Sequence, residues 1–96
     1  MIGGEVQRKS QRSREFYDRA VSVLPAGVSY SYRFIEPYPF YVDSAHGSEV
    51  VDVDGNSYTD YWCTHFSAIL GHSHPRVKEA IEKQLDKGWN FGLVHE

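Results

Sequence analysis

Apolar residues recur at Phe16, Ala20, Val23 and Leu24, three or four positions apart, with polar residues between them. That spacing collects them on one side of a helix and predicts a helix from about Ser13 to Leu24. Ser10 or Ser13 is suited to cap its start, Glu15 suits the first turn, and Pro25 and Gly27 end it. A second stripe runs through Val77, Ala80, Ile81 and Leu85. It predicts a helix from Pro75 to about Lys87 with these four residues buried. Proline suits the first helical position, and Gly88 supplies a left-handed cap at the end.

Between the helices the period changes. A short strand is expected at about Phe40–Asp43. "GSEVVDVDGNSYTDYW" then reads as a hairpin: Val51 and Val53 alternate with Asp52, while Tyr58, Asp60 and Trp62 share one face of the return strand. Asp54-Gly55-Asn56 forms the turn, because Gly and Asn tolerate positive φ. Upstream, Glu36-Pro37 and Tyr38-Pro39 favour extended backbone before each proline. Tyr30, Tyr32, Phe34, Tyr38 and Phe40 make this stretch too apolar for a free linker. The expected fold class is α+β: an N-terminal helix, a small antiparallel sheet and a following amphipathic helix. Residues 1–9 are expected to be disordered, and 10–96 form one segment. Two helices and one small sheet are marginal alone, so the apolar stripes demand a partner surface.

Composition narrows the function classes. The chain has 96 residues, 41% hydrophobic and 24% charged, which is ordinary globular usage. A net charge of −3 provides no basic field for a nucleic-acid backbone. Arg8, Lys9, Arg12 and Arg14 cluster near the start and read as a solvated terminus. Cys63 is the only cysteine, which fits a reducing compartment. No apolar run has the length of a signal peptide or membrane span, and the chain reads as cytoplasmic.

The carboxylates of "DVDGNSYTDYW", residues 52–62, suggest a calcium loop. Counted from Asp52, however, the glycine falls at position four and Cys63 stands where the bidentate Glu belongs. A β-turn accounts for the stretch. His72 and His74, with His65 seven residues before His72, suggest a metal pair, but no Cys or carboxylate joins them at ligand spacing. No metal site is assigned.

The motifs taken in order say more. "LPAGVSYSYRF", "DVDGN", "ILGHSHP", an amphipathic helix and "GWNFG" follow one another. This series resembles the N-terminal segment of the class III, fold-type I, pyridoxal-phosphate-dependent aminotransferases, and most closely their glutamate-1-semialdehyde 2,1-aminomutase group. That group carries a "PGGV" turn, a nearby arginine, a "DVDGN" hairpin, a "GHAHP" loop and an "FG" before a long helix. The likeness spans about residues 10–96. It implies the front part of a longer enzyme that moves an amino group with pyridoxal 5'-phosphate, as in tetrapyrrole precursor synthesis or as in a related class III aminotransferase. It also implies a homodimer and a small amino-acid-like carboxylate substrate. The family's Schiff-base lysine and phosphate cup lie downstream of the matched region, so no catalytic or cofactor-binding residue is assigned here.

The resemblance places Arg33 on the arginine of the family's "VRAF" stretch, near the substrate carboxylate. A guanidinium fork matches a carboxylate, and the other reading is a surface arginine stacked on Tyr32 or Phe34. Ser29 and Tyr30 flank the same loop and would form a pocket wall; Tyr30 replaces a small polar residue. His65 stands where the family has the tryptophan of "GTWGP". It is suited to contact substrate, shuttle a proton or pack. The same likeness makes "GHSHP" a structural loop near the subunit interface and helix start. The rival class is a non-catalytic binding or structural module derived from this segment.

Overall fold

The computed structural model describes residues 10–96. The terminal stretch 1–9, expected to be disordered, lies outside the described residues. The elements are helix α1 (Gln11–Val21), strands β1 (Val42–His46), β2 (Glu49–Asp52) and β3 (Ser57–Thr59), and helix α2 (Pro75–Lys87). Short 3-10 turns occupy Pro25–Gly27 and Ser31–Arg33, and a helical turn occupies Cys63–Phe66. The strands form one antiparallel sheet in the order β1-β2-β3, with His46 opposite Glu49 and Val50 opposite Tyr58. The α+β class and the hairpin follow the sequence reading.

Helix α1 starts two residues earlier and stops three residues earlier than its apolar spacing predicts. Neither candidate serine caps it. Ser10 holds the N-cap position without a side-chain cap bond, and its hydroxyl pairs with the Tyr38 hydroxyl at 3.1 Å. Ser13 is buried inside the first turn, where its hydroxyl accepts from Tyr41 N–H at 3.2 Å. The cap comes from Asp54, 41 residues away in sequence from Ser13. At the other end Val23 N–H bonds to Ala20 O, and Leu24 is extended at φ −125°, ψ 138°. A residue before proline is pushed out of the α region, which is why Leu24 leaves the helix.

Gly27 then lies under α1 at φ +69°. A β-carbon there would sit 2.5 Å from Tyr17 Cε2 and 2.9 Å from Val21 Cγ2, so only glycine fits.

The first strand runs over 42–46 rather than 40–43, because its pairing is set by the turn at Gly47 and Ser48 rather than by the aromatic run. Phe40 instead stacks on Tyr58 with ring centroids 4.7 Å apart. Phe16 meets Tyr41 at 5.4 Å, and Tyr17 lies over Tyr38 at 6.4 Å. These aromatic contacts seat α1 on the stretch that leads into β1. The buried face of β2 carries Val50 and Asp52, which alternate with half-buried Val51. The Glu36-Pro37 peptide bond is cis.

Helix α2 has the bounds its periodicity predicts. Its stripe is not buried: Val77, Ile81 and Leu85 are 43%, 55% and 48% exposed. Among the described residues nothing packs on that face closely enough to bury it. Gly88 closes the helix at φ 100°, ψ 161°, a positive-φ cap of extended rather than left-handed helical form. Among the described residues, no helix is long and apolar enough to cross a membrane.

Candidate functional site

The site is assembled from the hairpin outward. Asp52 is 2% exposed. Its Oδ1 accepts from Asp54 N–H at 2.9 Å and Asn56 N–H at 2.8 Å, and its Oδ2 from Asn56 Nδ2 and the Tyr58 hydroxyl, both at 2.9 Å. Burial by itself pushes this carboxyl up. The bonds from Asn56, Tyr58 and Asp54 outweigh it and hold the carboxyl below its ordinary pKa. Burial, followed by the bond to Asp52 and its charge, pushes the Tyr58 hydroxyl up to about 12. Four donors converge on Asp52, so its oxygens organise the turn, as the β-turn reading of "DVDGN" requires.

With the turn held, Asp54 points at the start of α1. Its two oxygens accept from Arg12 N–H at 2.7 Å and Ser13 N–H at 2.9 Å, while the Arg12 guanidinium donates to Val53 O at 2.8 Å. The helix and the sheet become one unit through these bonds.

Two loops leave this unit. In the first, the 3-10 turn Ser31–Arg33 brings the Arg33 guanidinium back to Ser29, where Nη1 donates to Oγ at 2.8 Å. Among the described residues Arg33 makes no cation–π contact and no ion pair, so it is not stacked on Tyr32 or Phe34. The second loop follows β3, which ends at Thr59. Trp62 therefore does not share the strand face with Tyr58; it opens a turn instead. Cys63, Thr64, His65 and Phe66 all have positive φ, at 46°, 55°, 56° and 65°. A left-handed conformation costs roughly 1–2 kcal/mol per non-glycine residue, and runs of it persist only where the surroundings impose them.

That turn aims His65 at the first loop. His65 lies 5.5 Å from the Tyr30 ring and 4.8 Å from Trp62, edge-on. Tyr32 extends the cluster to Tyr30 at 5.6 Å and Trp62 at 6.3 Å. Ser29 and Arg33 are thus bonded to one another, and Tyr30 joins their loop to His65. Trp62 was not foreseen in this cluster. Its signal was present in the "YW" that ends the hairpin, but strand alternation assigned it elsewhere.

The two remaining histidines are engaged. His72 Nε2 lies 2.6 Å from Asp60 Oδ2, and His74, the N-cap of α2, accepts from Arg76 N–H through Nδ1 at 3.3 Å. The His72 hydrogen bond holds the Asp60 carboxyl below its ordinary pKa, aided by the Cys63 and Trp62 N–H groups and opposed by burial. Among the described residues no three His, Cys, Asp or Glu side chains group to hold a metal. An open groove of about 710 Å³ lies between the loop from Thr64 to His74 and the Val77/Ile81 face of α2. None of Ser29, Tyr30, Arg33 or His65 lines it.

A pyridoxal phosphate needs an aldimine lysine in a cleft and a cradle for its phosphate. The described lysines Lys78, Lys83 and Lys87 all lie on α2, with Lys78 facing Glu82 and Lys83 facing Glu79 at the exposed surface. These residues do not fit that role.

The chain is 52% identical over 85 residues to the glutamate-1-semialdehyde 2,1-aminomutase of Methanosarcina acetivorans, covering 88% of this chain and 20% of the relative. The same enzyme of Methanococcoides burtonii is 51% identical over 81 residues, covering 84% and 19%. Among solved structures, a transaminase with PLP bound superposes with a TM-score of 0.84 at 38% identity, over 90% of this chain and 20% of that one. A glutamate-1-semialdehyde aminomutase from Pseudomonas aeruginosa superposes with a TM-score of 0.79 at 27% identity, over 95% and 21%. The chain therefore spans about a fifth of the length of the relatives it matches. The family profile of the class-III aminotransferases matches residues 30–95. On that match and these relatives, the chain belongs to the class-III aminotransferases.

Proposed function

We propose that this chain supplies one wall of the substrate pocket and part of the dimer interface of a pyridoxal-phosphate-dependent amino-group-transferring enzyme, most like glutamate-1-semialdehyde 2,1-aminomutase. The cofactor, when bound, supplies the electron sink, and the residues that hold it lie outside this chain. The substrate is a small amino-acid-like carboxylate. The observation that carries the reading is the gathering of Ser29, Tyr30, Arg33 and His65: the Arg33–Ser29 bond at 2.8 Å orients the guanidinium, and the Tyr30–His65 contact at 5.5 Å joins the two loops. Arg33 receives the carboxylate, Ser29 fixes the fork, and Tyr30 with His65 forms the aromatic side of the wall. The exposed stripe of α2 supports the interface role.

The test is steady-state kinetics of Arg33 variants in the full-length enzyme. Arg33→Ala removes a charge-assisted bond of about 1.5–3 kcal/mol, so KM for a carboxylate substrate rises roughly tenfold to a hundredfold. Arg33→Lys restores only part, since an ammonium cannot reproduce the fork. The cofactor absorption stays unchanged. An unaltered KM, or loss of cofactor, overturns the assignment.

A further inference from the structure

Three chain segments meet at one carboxylate. Asp60 Oδ1 accepts from Trp62 N–H at 2.8 Å and Cys63 N–H at 3.1 Å, the two groups that open the left-handed turn. The Asp60 carbonyl accepts from Cys63 Sγ at 3.3 Å. On its other side Asp60 Oδ2 meets His72 Nε2 at 2.6 Å, with His72 19% and Asp60 14% exposed. Neither partner is free to wander. Asp60 N–H bonds to Ser48 O at 2.8 Å, and His72 exchanges both backbone bonds with Gly47 at 2.8 and 2.9 Å. The preceding Gly71 makes that exchange possible, because a β-carbon there would lie 2.8 Å from Gly47 O. The β1–β2 turn, the end of β3 and the loop before α2 are thus locked around Asp60.

The turn that Asp60 opens is the one that presents His65. Four successive positive-φ residues do not hold that shape unaided. Asp60 holds the two N–H groups that open the turn, Phe66 N–H to Trp62 O at 2.9 Å and Ser67 N–H to Thr64 O at 3.3 Å bridge it, and Ala68 N–H to Cys63 O at 3.0 Å closes it. Among the described residues His65 meets Tyr30 and Trp62 through ring contacts alone, so its position follows the backbone that carries it.

We propose that Asp60 and His72 are positioning residues for substrate recognition: their pair fixes the left-handed turn 63–66 and thereby holds His65 in the substrate wall. This inference rests on the wall reading above. His72 acts on Asp60, Asp60 on the turn, and the turn on His65. Neither Asp60 nor His72 touches substrate.

A double-mutant cycle in the full-length enzyme tests it. His72→Ala removes the pair but leaves the bonds of Asp60 to Trp62 and Cys63 N–H; Asp60→Ala removes all of them. KM for the carboxylate substrate is expected to rise about three- to tenfold in His72→Ala and further in Asp60→Ala, a coupling of ordinary size for groups in one network, with kcat within about twofold. His72→Gln keeps an N–H donor and is expected to restore most of the loss. In a His65→Ala background, His72→Ala is expected to add nothing to KM. If the two effects multiply instead, Asp60 and His72 serve only the fold and the proposal fails, although the wall stands. If His65→Ala leaves KM unchanged, the wall assignment of His65 fails, and the proposal fails with it. Should Asp60→Ala not accumulate, the His72 and His65 cycle decides alone.

Discussion

The carboxylate of Asp54 accepts the backbone N–H of Ser13 at 2.9 Å, across 41 residues of chain. With the second bond to Arg12 N–H at 2.7 Å, a hairpin turn caps a helix that contains no cap of its own. The first N–H groups of a helix lack internal partners and carry positive partial charge, so a carboxylate there satisfies both needs. Asp54→Ala is expected to destabilise the protein by about 0.5–2 kcal/mol. Amide exchange at Arg12 and Ser13 should accelerate, while the amides of α2 stay unchanged. Asp54→Asn should lose less, since an amide oxygen still accepts.

Asp52 links stability to acid. Its folded pKa lies below the ordinary carboxylate value. Its contribution is therefore fully present above about pH 4 and is lost as pH falls through the lowered folded value. Asp52→Asn turns an acceptor toward four donors into a group that offers a donor itself. It is expected to cost about 1–3 kcal/mol at neutral pH. The gap between the melting temperatures of wild type and variant should close on acidification, and a gap constant down to the lowest pH would contradict the account.

Gly27 is tested by adding one carbon. Gly27→Ala places a methyl 2.5 Å from Tyr17 Cε2 at φ +69°. Overpacking of this kind costs about 1–3 kcal/mol, read as a lower melting temperature. Adding Tyr17→Ala removes the closer clash but leaves Val21 Cγ2 at 2.9 Å and the backbone strain, so the effect of Gly27→Ala should be smaller in the Tyr17→Ala background but not abolished.

The exposed face of α2 predicts assembly behaviour. Val77, Ile81 and Leu85 are about half exposed, so each forgoes roughly half of the ~1.5–3 kcal/mol that full burial gives. The isolated 96-residue chain is expected to be molten, aggregated or oligomeric. In the full-length enzyme, Ile81→Ser should lower stability or dissociate subunits in sedimentation measurements. A sharp cooperative melt of a monomeric isolated chain would contradict this.

Cofactor loading of the isolated chain offers a fifth check. Lys78, Lys83 and Lys87 are surface groups of one helix. Titration with pyridoxal phosphate followed by borohydride reduction should label them weakly and without selectivity. A stoichiometric adduct on one lysine would mean that this chain carries a site the described residues do not form.

Local signals in the sequence determined the elements whose causes are local. Pro75 and the 3.6-residue spacing of Val77, Ile81 and Leu85 specify α2, and Asp54-Gly55-Asn56 specifies the hairpin, because proline geometry, positive-φ tolerance and periodicity act within a few residues. Ordered short motifs were also sufficient for the family, since their spacing is itself one-dimensional. Tertiary structure decided the rest. The start of α1 depends on Asp54, the burial of Asp52 on which face of β2 packs inward, and the pairing of His72 with Asp60 on a loop returning to the β1–β2 turn. The left-handed path of residues 63–66 has no glycine to announce it. In each case the deciding partner is distant in sequence, and a carboxylate reads the same on paper whether it faces water, a helix end or a histidine.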